Sequence, residues 1–142
     1  MNRKTILIAT CAVLTAIWGL QLARAQGASL ADGAYTEEQS KRGMELYKAQ
    51  CASCHGDDLK GNEIIPGLTG DTFVGNWKGK TVGDLFEKIN MTMPALDPGS
   101  LTPEQTCDLI AHMLSVAKYP AGQTALASSK DALLQIKIDA PQ

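Results

Sequence analysis

The pentapeptide Cys51-Ala52-Ser53-Cys54-His55 constrains this chain more than any other feature. Two thiols three residues apart, followed at once by an imidazole, form the C-x-x-C-H signature of c-type haem attachment. Each thiol adds to one vinyl group of the macrocycle, which accounts for the pair. The adjacent His55 is carried under the iron as proximal ligand. Two other chemistries use paired cysteines. A redox-active dithiol follows a strand in a βαβ unit, a pattern that does not precede Cys51. A zinc site needs a second ligand pair, and Cys107 and His112 are the only other strong candidates. With 5% aromatic residues the chain builds a modest core, and a covalent macrocycle would supply much of its apolar filling.

Residues 1–25 read as an export segment. Arg3 and Lys4 precede an apolar stretch from Ile6 to Leu20, and Ala23-Arg24-Ala25 sets small residues at −3 and −1 before Gln26. The stretch is short for a span of about 20 apolar residues and includes Thr10 and Thr15; an uncleaved anchor is the alternative. A lipoprotein reading would use Cys11, but Thr10 precedes it and the apolar run continues beyond it. Cleavage after Ala25 places a chain of 117 residues in the periplasm, with no stable membrane span.

Cleavage also changes the charge. The whole chain carries 13 Lys+Arg against 15 Asp+Glu; losing Arg3, Lys4 and Arg24 leaves a net charge of −5. A 44% hydrophobic composition excludes a disordered tail, and the charge balance excludes a general nucleic-acid binder. Of the four cysteines, Cys11 leaves with the segment, two belong to the haem motif, and Cys107 remains. It reads as a small buried hydrophobe, with an intermolecular disulfide as the alternative.

Helix signals dominate the mature part. Residues 26–35 read as a loose leader. Thr36 and Gln39 form a capping box opening a helix to about Gln50, with Gly43 and Tyr47 one turn apart on one face. The Gly-rich stretch 56–80 reads as irregular loop. A second helix follows Thr81, with Leu85, Phe86 and Ile89 as its buried stripe. Asp97-Pro98-Gly99-Ser100 is a turn. Thr102, Pro103 and Gln105 then start a third helix, whose Ile110, Met113, Leu114 and Ala117 repeat at helical spacing until Pro120. A short helix near Ser129 to Leu134 and an alternating segment 135–139 close the chain.

The haem iron needs a second axial ligand or an open position. Candidates are Met44, Met91, Met93, Met113 and His112. Met44 lies in the helix leading into the motif and Met113 on a core stripe, where packing explains them. Met93 is favoured over Met91 because Pro94 fixes the following backbone and removes a donor, which suits a loop that holds a thioether firmly. A thioether ligand raises the reduction potential and leaves no site for substrate.

On these residues the chain from about Thr36 to Gly122 resembles a class I c-type cytochrome. It is similar to the monohaem bacterial periplasmic cytochromes c that serve quinoprotein alcohol dehydrogenases. The likeness rests on Arg42-Gly43 to Tyr47, Cys51 to Gly56, Pro66 to Gly70, Phe73 to Thr81, Met93-Pro94, Pro98 to Leu101 and Asp108 to Leu114. It implies an all-α cytochrome c fold with three main helices and irregular loops around one covalent haem c. The domain would run over 36–122, followed by a C-terminal extension at 123–142.

The resemblance implies several roles. The Pro66 carbonyl would accept the ring N–H of His55. Trp77 would stand near the haem propionates, with rim packing as the alternative. Gly43 would let the first and last helices cross closely, against a position that is usually aromatic and is His112 here. His112 sits at the edge of the last helix's apolar arc, as a packing substitute, a rim residue or a rival ligand.

The resulting expectation is a non-enzymatic one-electron carrier. Electrons would arrive from a dehydrogenase, a quinoprotein enzyme by resemblance, and leave to an oxidase or another cytochrome. Two alternatives stand beside it: a haem-bearing subunit of a larger dehydrogenase complex, and a haem sensor or peroxidase with a displaceable Met93.

Overall fold

A computed structural model describes residues 29–140, so the export segment at 1–25 and the first residues of the leader lie outside the described residues. Within them the fold is all-α. Six helices follow in order: α1 (Glu37–Gln50), α2 (Ala52–His55), α3 (Gly70–Trp77), α4 (Val82–Thr92), α5 (Pro103–Val116) and α6 (Lys130–Leu133). The three longest, α1, α4 and α5, each begin at a reciprocal capping box. Thr36 pairs with Gln39, Thr81 with Asp84 and Thr102 with Gln105. In each, the Thr hydroxyl accepts an otherwise unpaired amide and the third helical residue accepts the cap's own N–H.

The frame is the crossing of α1 over α5. A Cβ placed on Gly43 would lie 1.8 Å from the Asp108 carbonyl oxygen, so only glycine lets the two backbones approach this closely. One residue away, Arg42 grips Asp108 in a two-pronged pair, with Nε and an η nitrogen each 2.7 Å from a carboxylate oxygen. Further along, the rings of Tyr47 and His112 pack 5.5 Å apart, tilted by 52°. His112 is therefore buried, not at the edge of an apolar arc. The close crossing widens what α5 covers, and every residue from Cys107 to Leu114 except Asp108 is buried.

Two other expectations are corrected. The stretch 56–80 is not wholly irregular, because α3 forms within it and buries Phe73 completely. Glycines at 70 and 75 obscure that helix in the sequence. Nor is the described part of the leader loose. Leu30, Ala34 and Tyr35 are buried, and the Tyr35 hydroxyl donates to the Tyr119 carbonyl at 2.7 Å. Apolar side chains that reach the core hold this segment down.

The segment after Gly122 completes the core. Leu126, Leu133, Ile136 and Ile138 are all buried. Gln39 binds the Leu126 backbone twice, donating from Nε2 at 3.0 Å and accepting at Oε1 at 2.8 Å. The alternating residues 135–139 pair with the entry to α4 as a single antiparallel bridge, Thr81 to Lys137. The Val82 N–H donates to the Ile136 carbonyl at 2.8 Å, and the Ile138 N–H to that of Lys80 at 2.9 Å.

Candidate functional site

The first helix delivers the haem motif. Cys51 ends α1, its N–H donating to the Tyr47 carbonyl at 2.8 Å, and the same residue precedes α2. The His55 N–H returns to the Cys51 carbonyl at 2.9 Å, so the motif winds into one turn. Spacing of three in a helical turn sets both thiols on one side of it. Both cysteines are free thiols, Cys51 half-buried and Cys54 exposed. Burial, and then the charge of Cys54, push the Cys51 thiol above its ordinary pKa. Tyr47 secures the exit of the turn, its hydroxyl donating to the Gly56 carbonyl at 2.6 Å.

The loop beyond folds back on the imidazole. The Gly61 N–H reaches the His55 carbonyl at 2.9 Å, and the Leu68 N–H reaches that of Leu59 at 2.7 Å. Gly61 has φ +66°, and a Cβ there would stand 2.2 Å from the Ile65 carbonyl oxygen, so this turn requires glycine. Asn62 Oδ1 accepts from the amides of Ile64 and Ile65, both at 2.9 Å. The result sets the Pro66 carbonyl oxygen 3.0 Å from His55 Nδ1. A carbonyl can only accept, so this contact requires the proton on Nδ1 and leaves the Nε2 lone pair free to bind a metal.

The remaining candidates lie on other elements. Trp77 ends α3, partly buried, with Lys80 Nζ 4.9 Å from its ring centroid. Met93 follows α4 in extended conformation, its N–H donating to the Ile89 carbonyl at 2.9 Å, and is partly buried; Met91 is 64% exposed. Among the described residues no hydrogen bond links Trp77 or Met93 to the haem motif. Met113 is buried in the core, and His112 is engaged at the α1–α5 crossing. Cys107 is buried, its Sγ 3.5 Å from the Ala127 carbonyl, and burial raises its pKa to about 12.

These side chains fit a c-type haem by donor chemistry. They offer two free thiols, an imidazole with one nitrogen already hydrogen-bonded, and a thioether in a capped loop. Among the described residues no three of His, Cys, Asp and Glu gather closely enough to hold a bare metal ion. Two residues escaped the sequence reading: Tyr47 as the anchor of Gly56, and Asn90, which bridges α4 to α5. Tyr47 stands in a stretch that carries the likeness but without this role, Asn90 stands in none, and only the fold brings their partners near.

Comparison with known proteins agrees with this reading. The family described as cytochrome c oxidase, cbb3-type, subunit III matches residues 38–113. The fructose dehydrogenase cytochrome subunit of Gluconobacter japonicus is 30% identical over 110 residues, covering 70% of this chain and 23% of that protein. This chain thus spans under a quarter of that relative's length. The crystal structure of the sulfane dehydrogenase SoxCD from Paracoccus pantotrophus shares the fold with a TM-score of 0.53. The identity there is 22%, over 82% of this chain and 62% of that one.

Proposed function

Because the chain belongs to the cytochrome c family typified by subunit III of cbb3-type cytochrome c oxidase, we propose that it is an exported one-electron carrier with a single His/Met-ligated haem c. The observation that carries this reading is the His55 Nδ1 to Pro66 carbonyl contact at 3.0 Å. It fixes ring orientation and tautomer in advance, and it makes Nε2 a stronger base toward iron. Cys51 and Cys54 would hold the macrocycle as thioethers, and His55 Nε2 and Met93 Sδ would be the donors to its iron. Haem c, when bound, supplies one iron that takes up and releases a single electron.

Bound to the iron, the Met93 thioether would favour the ferrous state and leave no position for a substrate. Trp77, at the end of α3, offers its indole N–H to a propionate. Ile64 and Leu96, 89% and 99% exposed, lie in the loops carrying Pro66 and Met93 and offer a partner apolar contact. A net charge of −5 after cleavage at Ala25 favours a partner with a basic docking face. We propose a dehydrogenase as donor, a quinoprotein enzyme by resemblance, and an oxidase or second cytochrome as acceptor, in the periplasm. Similarity to a dehydrogenase cytochrome subunit favours one further reading, a haem-bearing subunit of such a complex.

Methionine-ligated ferric haem gives a weak charge-transfer absorbance in the red. The wild-type protein is expected to show it and Met93→Ala to lose it. A band absent from the wild type, or unchanged in Met93→Ala, would falsify the ligand assignment.

A further inference from the structure

The loop that carries Met93 is closed at its base by one side chain. The loop runs over 93–100, between the end of α4 and Leu101, which precedes the α5 cap. Asn90 lies in the last turn of α4. Its Nδ2 donates both hydrogens across the neck, to the Leu101 carbonyl and to the Thr106 hydroxyl, each at 3.0 Å. Thr106 is fully buried, and its hydroxyl proton goes to the Thr102 carbonyl at 3.0 Å, which turns an oxygen lone pair toward Asn90. The acceptors are therefore fixed by α5 itself.

Among the described residues, few other hydrogen bonds tie this loop together. Its own backbone bonds are two short turns, Asp97 N–H to the Pro94 carbonyl at 3.0 Å and Ser100 N–H to that of Asp97 at 3.3 Å. Residues 95–100 are all exposed. Met93 is anchored through α4 on one side only, by its bond to Ile89. Asn90 supplies the tie to α5. Two donors on one short planar group are required, which aspartate at neutral pH, serine and leucine do not offer.

We propose that Asn90 is a positioning residue for Met93, holding the two ends of the loop together so that the thioether resists displacement. The proposal rests on the His/Met reading above. It acts through the loop-open population: a foreign ligand reaches the distal position only when the neck parts, so weakening the neck strengthens apparent ligand binding by the same factor. Loss of two neutral hydrogen bonds corresponds to roughly tenfold or more.

The test is an imidazole titration of the ferric holoprotein, followed by the shift of its main haem absorbance, with loss of the red absorbance as a second signal wherever that band is present. Asn90→Ala is expected to bind imidazole about tenfold more tightly. Thr106→Val, which keeps the side-chain shape and removes one acceptor, should give a smaller increase and carries the test should Asn90→Ala not fold. Gln39→Ala breaks the Leu126 contacts instead, and should lower Tm without changing imidazole affinity. Wild-type affinity in both Asn90→Ala and Thr106→Val, with Met93→Ala binding more tightly, overturns the proposal and leaves the ligand assignment standing. So does a Gln39→Ala affinity raised as much as that of Asn90→Ala, since the effect would then be general loosening. A wild type without the red band, or Met93→Ala with unchanged affinity, overturns the assignment and the proposal together.

Discussion

His112 faces the crossing glycine, its Cβ 3.0 Å from where a Cβ on Gly43 would lie, and packs its ring, tilted, against Tyr47. Burial, and then the charge of Lys48, lower its pKa below the ordinary 6.5. The folded state thus favours neutral imidazole, and an unfolded chain takes up the proton first as pH falls. Stability from neutral His112 is complete above about pH 6.5 and is lost as pH drops through the lower folded-state value. His112→Phe keeps the ring contact and removes the titration. Thermal melts between about pH 7 and 5 should show a shallower decline for the variant than for the wild type. Equal slopes would show that His112 does not contribute. Gly43 was legible only through the resemblance, since spacing alone places it beside Tyr47 without saying that a backbone carbonyl lies 1.8 Å from its absent Cβ.

At the scale of elements, α1 could be read from its capping box, α4 from the stripe of Leu85, Phe86 and Ile89 after Thr81, and α5 from both kinds of signal. Helix α3 could not, because Gly70 and Gly75 weaken its propensity and its stability comes from burying Phe73 in a core that other segments build. The C-terminal extension was legible in part: the short helix near Ser129 to Leu134 forms as α6, while the alternating residues 135–139 make a single bridge among the described residues, and burial of Leu133, Ile136 and Ile138 holds the segment in place. Leu134 lies against Gly83, where a Cβ would come within 2.8 Å of it. Ile138 is fully buried between backbone bonds to Gly79 and Lys80. Ile138→Ala is expected to cost about 2–5 kcal/mol in a denaturant melt without preventing haem attachment. A loss well under about 1 kcal/mol would mean the extension is dispensable.

Across the whole molecule, the candidate site residues come from segments far apart in sequence, and this sets what could be foreseen. The thiols and imidazole were evident because covalent attachment needs them within five residues. The Pro66 contact depends on a loop folded back by Gly61 and Asn62, and it entered the sequence reading through family likeness alone. The neck at Asn90 depends on two elements meeting and had no sequence signal at all. Among the described residues no helix is long and apolar enough to cross a membrane. One covalent haem on Cys51 and Cys54 would show in the intact mass of the protein purified from a host that attaches c-type haem, measured after denaturation and reduction. The predicted value is a chain beginning at Gln26 plus one haem, with the addition lost when Cys51 and Cys54 are both replaced by alanine. The bare polypeptide mass in the wild type, or haem retained by the double variant, would contradict it.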